Sequence, residues 1–144
     1  MRRSMLSSPS AARKAESERD RIGCLRPHRH KGEKGADKVA AAIADARICT
    51  INYAEVVTHF IHLGMPEREV DVMLDPLPMT IVPTDKALAQ LAGRLRAVTA
   101  DHGLSLGDRF CLAMAQRDGL PAWTSEQRWK AVADAAKAKV VAIR

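Results

Sequence analysis

A chain of 144 residues is long enough for one compact domain but not comfortably for two. Apolar residues make up 47% of the chain and aromatic residues only 3%, so the core must be built mainly from aliphatic side chains. The net charge of +6 lies entirely in residues 1–35, because residues 36–144 hold 13 basic and 13 acidic residues, and it gives no argument that the folded part binds nucleic acid.

The sequence shows no feature of a secreted or membrane protein. No apolar run approaches the roughly 20 residues needed to cross a membrane, and the apolar segment of a secretory signal does not follow Arg2 and Arg3. The cysteines are odd in number and form no CxxC pair, which argues against a disulfide framework. We therefore expect a cytoplasmic protein with reduced thiols.

The N-terminal segment differs in composition from the rest of the chain. Residues 1–33 are rich in Arg, Ser, Pro and His and follow neither helical nor strand periodicity. This composition predicts a disordered or aberrant basic tail. Such a tail suits contact with a phosphate backbone, but no aromatic residue is interleaved to stack on bases. Residues 34–144 are assigned to one folded domain.

From residue 36 onward, the spacing of apolar residues predicts helices that alternate with short strands. The predicted helices cover residues 36–46, 53–63, 66–74, 85–99, 106–117 and 127–136, and the predicted strands cover 47–51, 79–82, 122–123 and 140–143. Short apolar strands between helices are typical of a parallel sheet covered by helices on both faces. The predicted fold class is therefore α/β.

Acidic residues stand near the starts of three predicted helices. Glu55 lies three residues after Asn52, and Asp108 lies three residues after Ser105. Both spacings are typical of a capping box, in which the acid accepts a hydrogen bond from the backbone of the cap residue. Glu126 has the same ordinary interpretation, since the helix dipole favours an acid at such positions.

The three acids together support a second interpretation. Ligands bind at the carboxyl ends of parallel strands, so helices that follow strands would bring Glu55, Asp108 and Glu126 to one edge of the sheet. Carboxylates that lie close together repel one another, and a hard cation such as Mg²⁺ or Mn²⁺ relieves that repulsion. A water on such an ion suits attack on a phosphodiester. The residues alone leave both interpretations open.

Three segments of the chain resemble the PIN-domain ribonucleases, and especially the VapC-type toxins of bacterial toxin–antitoxin pairs. They are residues 51–56, 103–109 and 119–126, which occur in the family's order and spacing. The middle segment follows a pattern common in the family, LSxxDxxxxA. The resemblance extends from about residue 32 to residue 144.

The resemblance implies a fold, an activity and a site. The fold is a doubly wound sheet with helices on both faces, and the activity is metal-dependent endoribonuclease cleavage. Glu55, Asp108 and Glu126 would act as catalytic acids that hold Mg²⁺ or Mn²⁺, although many members carry Asp where this chain has Glu126. Thr124 or Ser125 would supply the accompanying hydroxyl. The implied partners are an RNA substrate, an antitoxin protein and a second copy of the chain, without a membrane.

The chain departs from the family at its start, where members have an apolar strand that ends in a metal-binding Asp. Within residues 1–31 only segment 22–25 is mildly apolar, and Asp20 precedes that segment instead of following it. We therefore expect the first, central strand to be missing and the activity to be impaired by the loss of a carboxylate. We hypothesise that residues 1–31 arise from a shifted reading frame or a misassigned start, which the coding DNA would decide.

Two alternatives to an active toxin-type endoribonuclease remain. The first is a degenerate member that binds an antitoxin or itself without turnover, through a groove formed by helices at 53–63 and 66–74. The apolar residues of that groove would be Val56, Phe60, Leu63, Val70 and Leu74. The second is an unrelated α/β domain whose acids serve only as caps. Metal-dependent RNA cleavage, antitoxin binding without cleavage, or neither would separate the three.

Overall fold

The computed structural model describes residues 21–23, 46–124 and 126–142. Its strands are β1 (Arg21–Gly23), β2 (Ala46–Cys49), β3 (Thr80–Val82), β4 (Ala122–Thr124) and β5 (Val140–Ala142). Its helices are α1 (Thr50–His62), α2 (Glu67–Leu74), α3 (Lys86–Arg94), α4 (Arg96–Thr99), α5 (Leu106–Asp118) and α6 (Arg128–Val132), with a 3₁₀ turn at Ala100–His102.

The strands form a parallel sheet in the order β3-β2-β1-β4-β5. Helices α1 and α2 connect β2 to β3, helices α3 to α5 connect β3 to β4, and α6 connects β4 to β5. A parallel pair of strands needs a crossover connection of this kind. The predicted α/β class with a parallel sheet is therefore confirmed.

The prediction that the central strand is missing is wrong for the backbone of three residues. Arg21–Gly23 lies between β2 and β4 and pairs in parallel with both, with Ile22 opposite Arg47 and Ala122. Without β1, the facing backbone groups of β2 and β4 would lack hydrogen-bond partners in the middle of the sheet, which is unfavourable. β1 supplies those partners on both sides. β1 falls inside the segment interpreted as a tail, whose other residues lie outside the described part. The predicted helix at 36–46 lies outside it as well, except Ala46, which begins β2.

The helices cover both faces of the sheet. Ile48 and Cys49 are neighbours in β2, and side chains of neighbouring strand residues point to opposite faces. Ile48 packs in one apolar cluster with side chains of α1 and α2, whereas Cys49 packs in a second cluster with side chains of α3, α5 and α6. Each cluster therefore belongs to one face of the sheet.

Helix α5 is the centre of the larger cluster. All side chains of residues 110–115 are buried, as is typical of a helix covered on every side. Leu88 and Ala92 of α3 pack against this helix, and Trp129 of α6 is 1% exposed in the same cluster.

In the described part of the chain, no helix has the length and apolarity to span a membrane.

The smaller cluster corrects the predicted partner groove. Val56, Val70 and Leu74 are buried against Ile48 of the sheet. Their apolar face is therefore used inside the fold and is not free to receive a partner helix. Of the predicted groove residues, Leu63 is exposed.

The predicted helix at 85–99 is divided at Leu95. The carbonyl oxygen of Leu95 accepts hydrogen bonds from the backbone N–H groups of Val98 and Thr99, each at 3.1 Å. It also accepts one from the Thr99 hydroxyl at 2.8 Å. A side chain that bonds to the carbonyl four residues earlier commonly bends a helix, and this is the physical reason for the division.

We expect the substitution Asp85→Ala to lower the free energy of unfolding by about 1 kcal/mol. Asp85 is the N-cap of α3, and its Oδ1 accepts a hydrogen bond from the Leu88 N–H at 2.8 Å. Urea denaturation of the purified protein measures the change. The matched control is Asp85→Asn, which keeps an acceptor oxygen and is expected to stay within a few tenths of a kcal/mol of the native chain. Equal losses in both variants would contradict the capping role.

Candidate functional site

Two of the three predicted acids, Glu55 and Glu126, follow strands that end at the carboxyl edge of the sheet. Because the strands are parallel, β2 and β4 end at the same edge on either side of β1. Helix α1, which carries Glu55, begins directly after β2, and Glu126 follows β4 by two residues. Helix α5, which carries Asp108, contacts α1. Glu55 and Glu126 therefore follow strand ends at this edge, where ligands of parallel sheets bind, and Asp108 lies on a helix that contacts α1.

Asp108 lies in the first turn of α5 and is 1% exposed. Its backbone N–H donates to Ser105 Oγ at 3.2 Å, and its Oδ2 accepts from the Ser105 N–H at 2.8 Å. The capping box predicted for this pair is confirmed. One carboxylate oxygen is therefore fixed in place by the backbone, which limits rotation of the side chain.

The capping box predicted for Asn52 and Glu55 is wrong. Helix α1 begins at Thr50, with Cys49 as its N-cap, so Glu55 is the sixth residue of the helix. The Glu55 carboxylate instead lies against Gly107 of α5. A Cβ atom added to Gly107 would stand 2.5 Å from Glu55 Cδ, which is far closer than atoms approach. Because residue 107 is a glycine, the Glu55 carboxylate has space to lie beside it, one residue before Asp108.

Asn52 is a residue of this site that the sequence analysis interpreted only as a cap. It is 2% exposed. Its Nδ2 donates to the Gly107 carbonyl oxygen at 2.9 Å and to Glu55 Oε2 at 3.3 Å, which ties α1 to the first turn of α5. Its Oδ1 is buried and accepts no hydrogen bond from any described residue. Asn52 lies in segment 51–56, one of the three segments that carry the family resemblance, and this was the sequence signal that could have found it.

Glu126 is held by Arg128, a residue that the sequence analysis did not single out. Arg128 Nε and Nη2 donate to Glu126 Oε2 at 3.1 and 2.9 Å, and Nη1 donates to the Gly103 carbonyl oxygen at 3.0 Å. The Glu126 N–H donates to the hydroxyl of Thr124 at 3.0 Å, and Thr124 is buried. The Thr124 hydroxyl therefore fixes the turn that carries Glu126. Ser125 lies outside the described residues.

The arrangement fits a divalent ion at one part of the edge. Among residues 46–124 and 126–142, no group of three His, Cys, Asp or Glu side chains lies close enough to hold a metal ion. At the contact of α1 with α5, Glu55 and the buried amide of Asn52 nevertheless carry oxygens of the kind that Mg²⁺ and Mn²⁺ prefer, next to Gly107, the residue that precedes Asp108. That Glu126 shares such an ion stays a prediction. One of its carboxylate oxygens already pairs with the Arg128 guanidinium.

A separate cavity of about 110 Å³ lies between α1, the end of α2 and β3. It is lined by Tyr53, Leu74, Asp75, Leu77, Met79 and Ile81. Burial raises the pKa of the Tyr53 phenol, and the negative charges of Asp75 and Asp71 raise it further. None of the predicted acids lines this cavity.

Comparisons with known proteins place these features in a family and a fold. A comparison with protein families matches residues 25–135 to the PIN domain. A sequence comparison with curated proteins finds no match. A toxin–antitoxin complex from Klebsiella pneumoniae has a chain of similar structure, with a TM-score of 0.58 and 21% sequence identity, covering 78% of this chain and 87% of that chain.

Two further solved structures are similar. The crystal structure of FitAcB from Neisseria gonorrhoeae has a TM-score of 0.56 and 21% identity, covering 81% of this chain and 87% of that chain. The structure of FitAB bound to an IR36 DNA fragment has a TM-score of 0.56 and 18% identity, covering 78% of this chain and 85% of that chain. At these identities the likeness shows a shared fold.

Proposed function

The chain belongs to the PIN-domain family, and from this premise we propose that it is a divalent-metal-dependent endoribonuclease of the toxin–antitoxin type. The observation that carries the proposal is the contact of α1 with α5 across Gly107. There the Glu55 carboxylate and the buried amide of Asn52 contact Gly107, the residue that precedes the buried Asp108. Two similar structures named as toxin–antitoxin or FitAB assemblies support an antitoxin as partner.

The chain's own residues have distinct tasks in this proposal. Asp108 and Glu55 would hold a Mg²⁺ or Mn²⁺ ion, and the chemistry that such an ion would supply is Lewis-acid polarisation of the phosphodiester and acidification of water. The hydrogen bond from the Ser105 N–H keeps the Asp108 carboxylate in one orientation. Asn52 holds the Glu55 carboxylate beside α5. Glu126 orients the attacking water, on a turn that the Thr124 hydroxyl fixes.

A cleavage assay tests the proposed function. The purified chain is incubated with single-stranded and structured RNA in the presence of Mn²⁺, of Mg²⁺, or of a chelator. We expect cleavage with either ion and none with the chelator. Cleavage that is unchanged by the chelator would contradict the proposed metal dependence. The absence of cleavage under all conditions would contradict the proposed endoribonuclease activity.

A second candidate is a member that binds an antitoxin or a second copy of itself without cleaving RNA. Two observations favour it. In the sequence, Cys24 and no Asp follows β1, and Arg128 already holds one oxygen of Glu126. Co-purification of an antitoxin with a chain that shows no nuclease activity would select this candidate, and metal-dependent cleavage would exclude it.

The substitution Arg128→Gln is expected to strengthen Mn²⁺ binding about threefold if Glu126 contributes to the ion. The Arg128 side chain is 48% exposed, so its pairing with Glu126 is worth well under 1 kcal/mol, and the substitution removes the positive charge beside Glu126 at little cost in stability. Calorimetric titration with Mn²⁺ measures the affinity. The control is Lys130→Gln, which removes the same charge from an exposed position of α6.

The two variants separate local from long-range effects. Equal changes in Mn²⁺ affinity in Arg128→Gln and Lys130→Gln would show that the net charge of the protein alone changes the binding of the ion. Weaker Mn²⁺ binding in Arg128→Gln would show instead that Arg128 holds Glu126 in its working position.

A further inference from the structure

We infer that Asn52 Oδ1 is a neutral oxygen ligand of the divalent ion held by Glu55 and Asp108, an inference that rests on the proposed function. The sequence motifs gave Asn52 no such role. Asn52 is 2% exposed, and its Oδ1 has no hydrogen-bond donor among the described residues.

The orientation of the Asn52 amide is determined by its two acceptors. Nitrogen and oxygen of an amide must be assigned from their hydrogen-bond partners. One branch of the amide faces the Gly107 carbonyl oxygen at 2.9 Å and Glu55 Oε2 at 3.3 Å. Both are acceptors, so this branch is the NH₂ group. The other branch is therefore the oxygen, and rotation of the amide would place that oxygen against two acceptors.

A buried acceptor without a donor is unfavourable, because it has lost its hydrogen bonds to water. At this position it lies on the same amide that contacts the Glu55 carboxylate, one residue from Asp108 in the facing helix. A further hydrogen-bond donor is one solution for such an oxygen. A hard cation is another, and the Glu55 carboxylate beside the amide offers it a negative charge. Amide oxygens are ordinary ligands of hard divalent ions.

Substitutions of similar shape distinguish a ligand from a structural bridge. Asn52→Asp keeps an oxygen in the place of Oδ1 and puts a second oxygen against Glu55 and the Gly107 carbonyl. Asn52→Leu keeps the approximate shape and removes both the oxygen and the NH₂ group. A ligand role predicts opposite effects of these two variants on ion binding, whereas a bridging role through Nδ2 predicts that both weaken it.

The experiment titrates the native full-length chain and both variants with Mn²⁺ by calorimetry and records their melting temperatures with and without Mn²⁺. We expect Asn52→Asp to bind Mn²⁺ at least about tenfold more tightly and Asn52→Leu at least about tenfold more weakly than the native chain. We also expect the melting temperature of Asn52→Asp to fall without Mn²⁺ and to rise with Mn²⁺ by more than that of the native chain.

Several outcomes would overturn the inference. One is that Asn52→Leu binds Mn²⁺ as tightly as the native chain does. Another is that Asn52→Asp binds Mn²⁺ no more tightly than the native chain does. If Asn52→Leu does not fold, the Asn52→Asp titration decides alone. A native chain that cleaves RNA and binds Mn²⁺ while both variants bind it equally well would overturn the role of Asn52 and leave the proposed function intact. A native chain that binds no Mn²⁺ would overturn both.

Discussion

Replacement of Asp108 by asparagine is expected to lower metal-dependent RNA cleavage by at least about a hundredfold while the chain stays folded. Asparagine has the shape of aspartate and keeps an oxygen that can accept the Ser105 N–H bond, which is 2.8 Å long in the native chain. The substitution removes the negative charge that would hold the ion. The loss of that charge near the start of α5 lowers the free energy of unfolding by about 1 kcal/mol.

The measurement compares initial rates of RNA cleavage at saturating Mn²⁺ with denaturation curves of the same samples. The matched control is Asp101→Asn, an exposed acid in the 3₁₀ turn before α5, which is expected to change neither quantity appreciably. Cleavage at the native rate in Asp108→Asn would reduce Asp108 to a helix cap.

Substitution of Gly93 and Gly107, the two glycines inside helices of the described part of the chain, is expected to have opposite results. Gly93→Ala in α3 should raise the free energy of unfolding by about 1 kcal/mol, because alanine is the better helix former and no described atom lies within 4 Å of the added Cβ. Gly107→Ala gains the same helix propensity. Its Cβ, however, would stand 2.5 Å from Glu55 Cδ, so Glu55 must move away.

We expect Gly107→Ala to lower the free energy of unfolding by about 1–3 kcal/mol, the usual result of overpacking, and to weaken Mn²⁺ binding at least about tenfold. Urea denaturation and a Mn²⁺ titration measure the two effects. Gly93→Ala serves as the control, because it changes the same residue type in another helix. A Gly107→Ala chain that gains stability and keeps its affinity would show that Glu55 does not depend on the space beside Gly107.

The sequence predicted the secondary structure well where local patterns decide it. The run from Ala122 to Trp123 forms a strand, and Ser105 with Asp108 forms a capping box, because both depend on residues close together in the chain. The start of α1 was missed by three residues. Its N-cap, Cys49, makes no side-chain cap hydrogen bond in the described structure, so no residue type marks that helix start.

The finer geometry of the site could not be predicted because contacts between distant residues determine it. Asn52 meets the Gly107 carbonyl 55 residues further along the chain, and a local pattern holds no information about that pairing. The same is true of the space above Gly107 that Glu55 fills. Arg128 lies two residues from Glu126, but the orientation of its guanidinium depends on the carbonyl of Gly103, 25 residues away.

The position of β1 also has a consequence for the order of assembly. Ile22 pairs with Arg47 on one side and with Ala122, a hundred residues later in the chain, on the other. Contacts between residues so far apart in sequence form slowly, since a long loop must close before they contribute. A ribosome that has not yet released β4 therefore carries a nascent chain whose central ladder is half complete. The carboxyl edge of the sheet is therefore complete only after β4 has been synthesised.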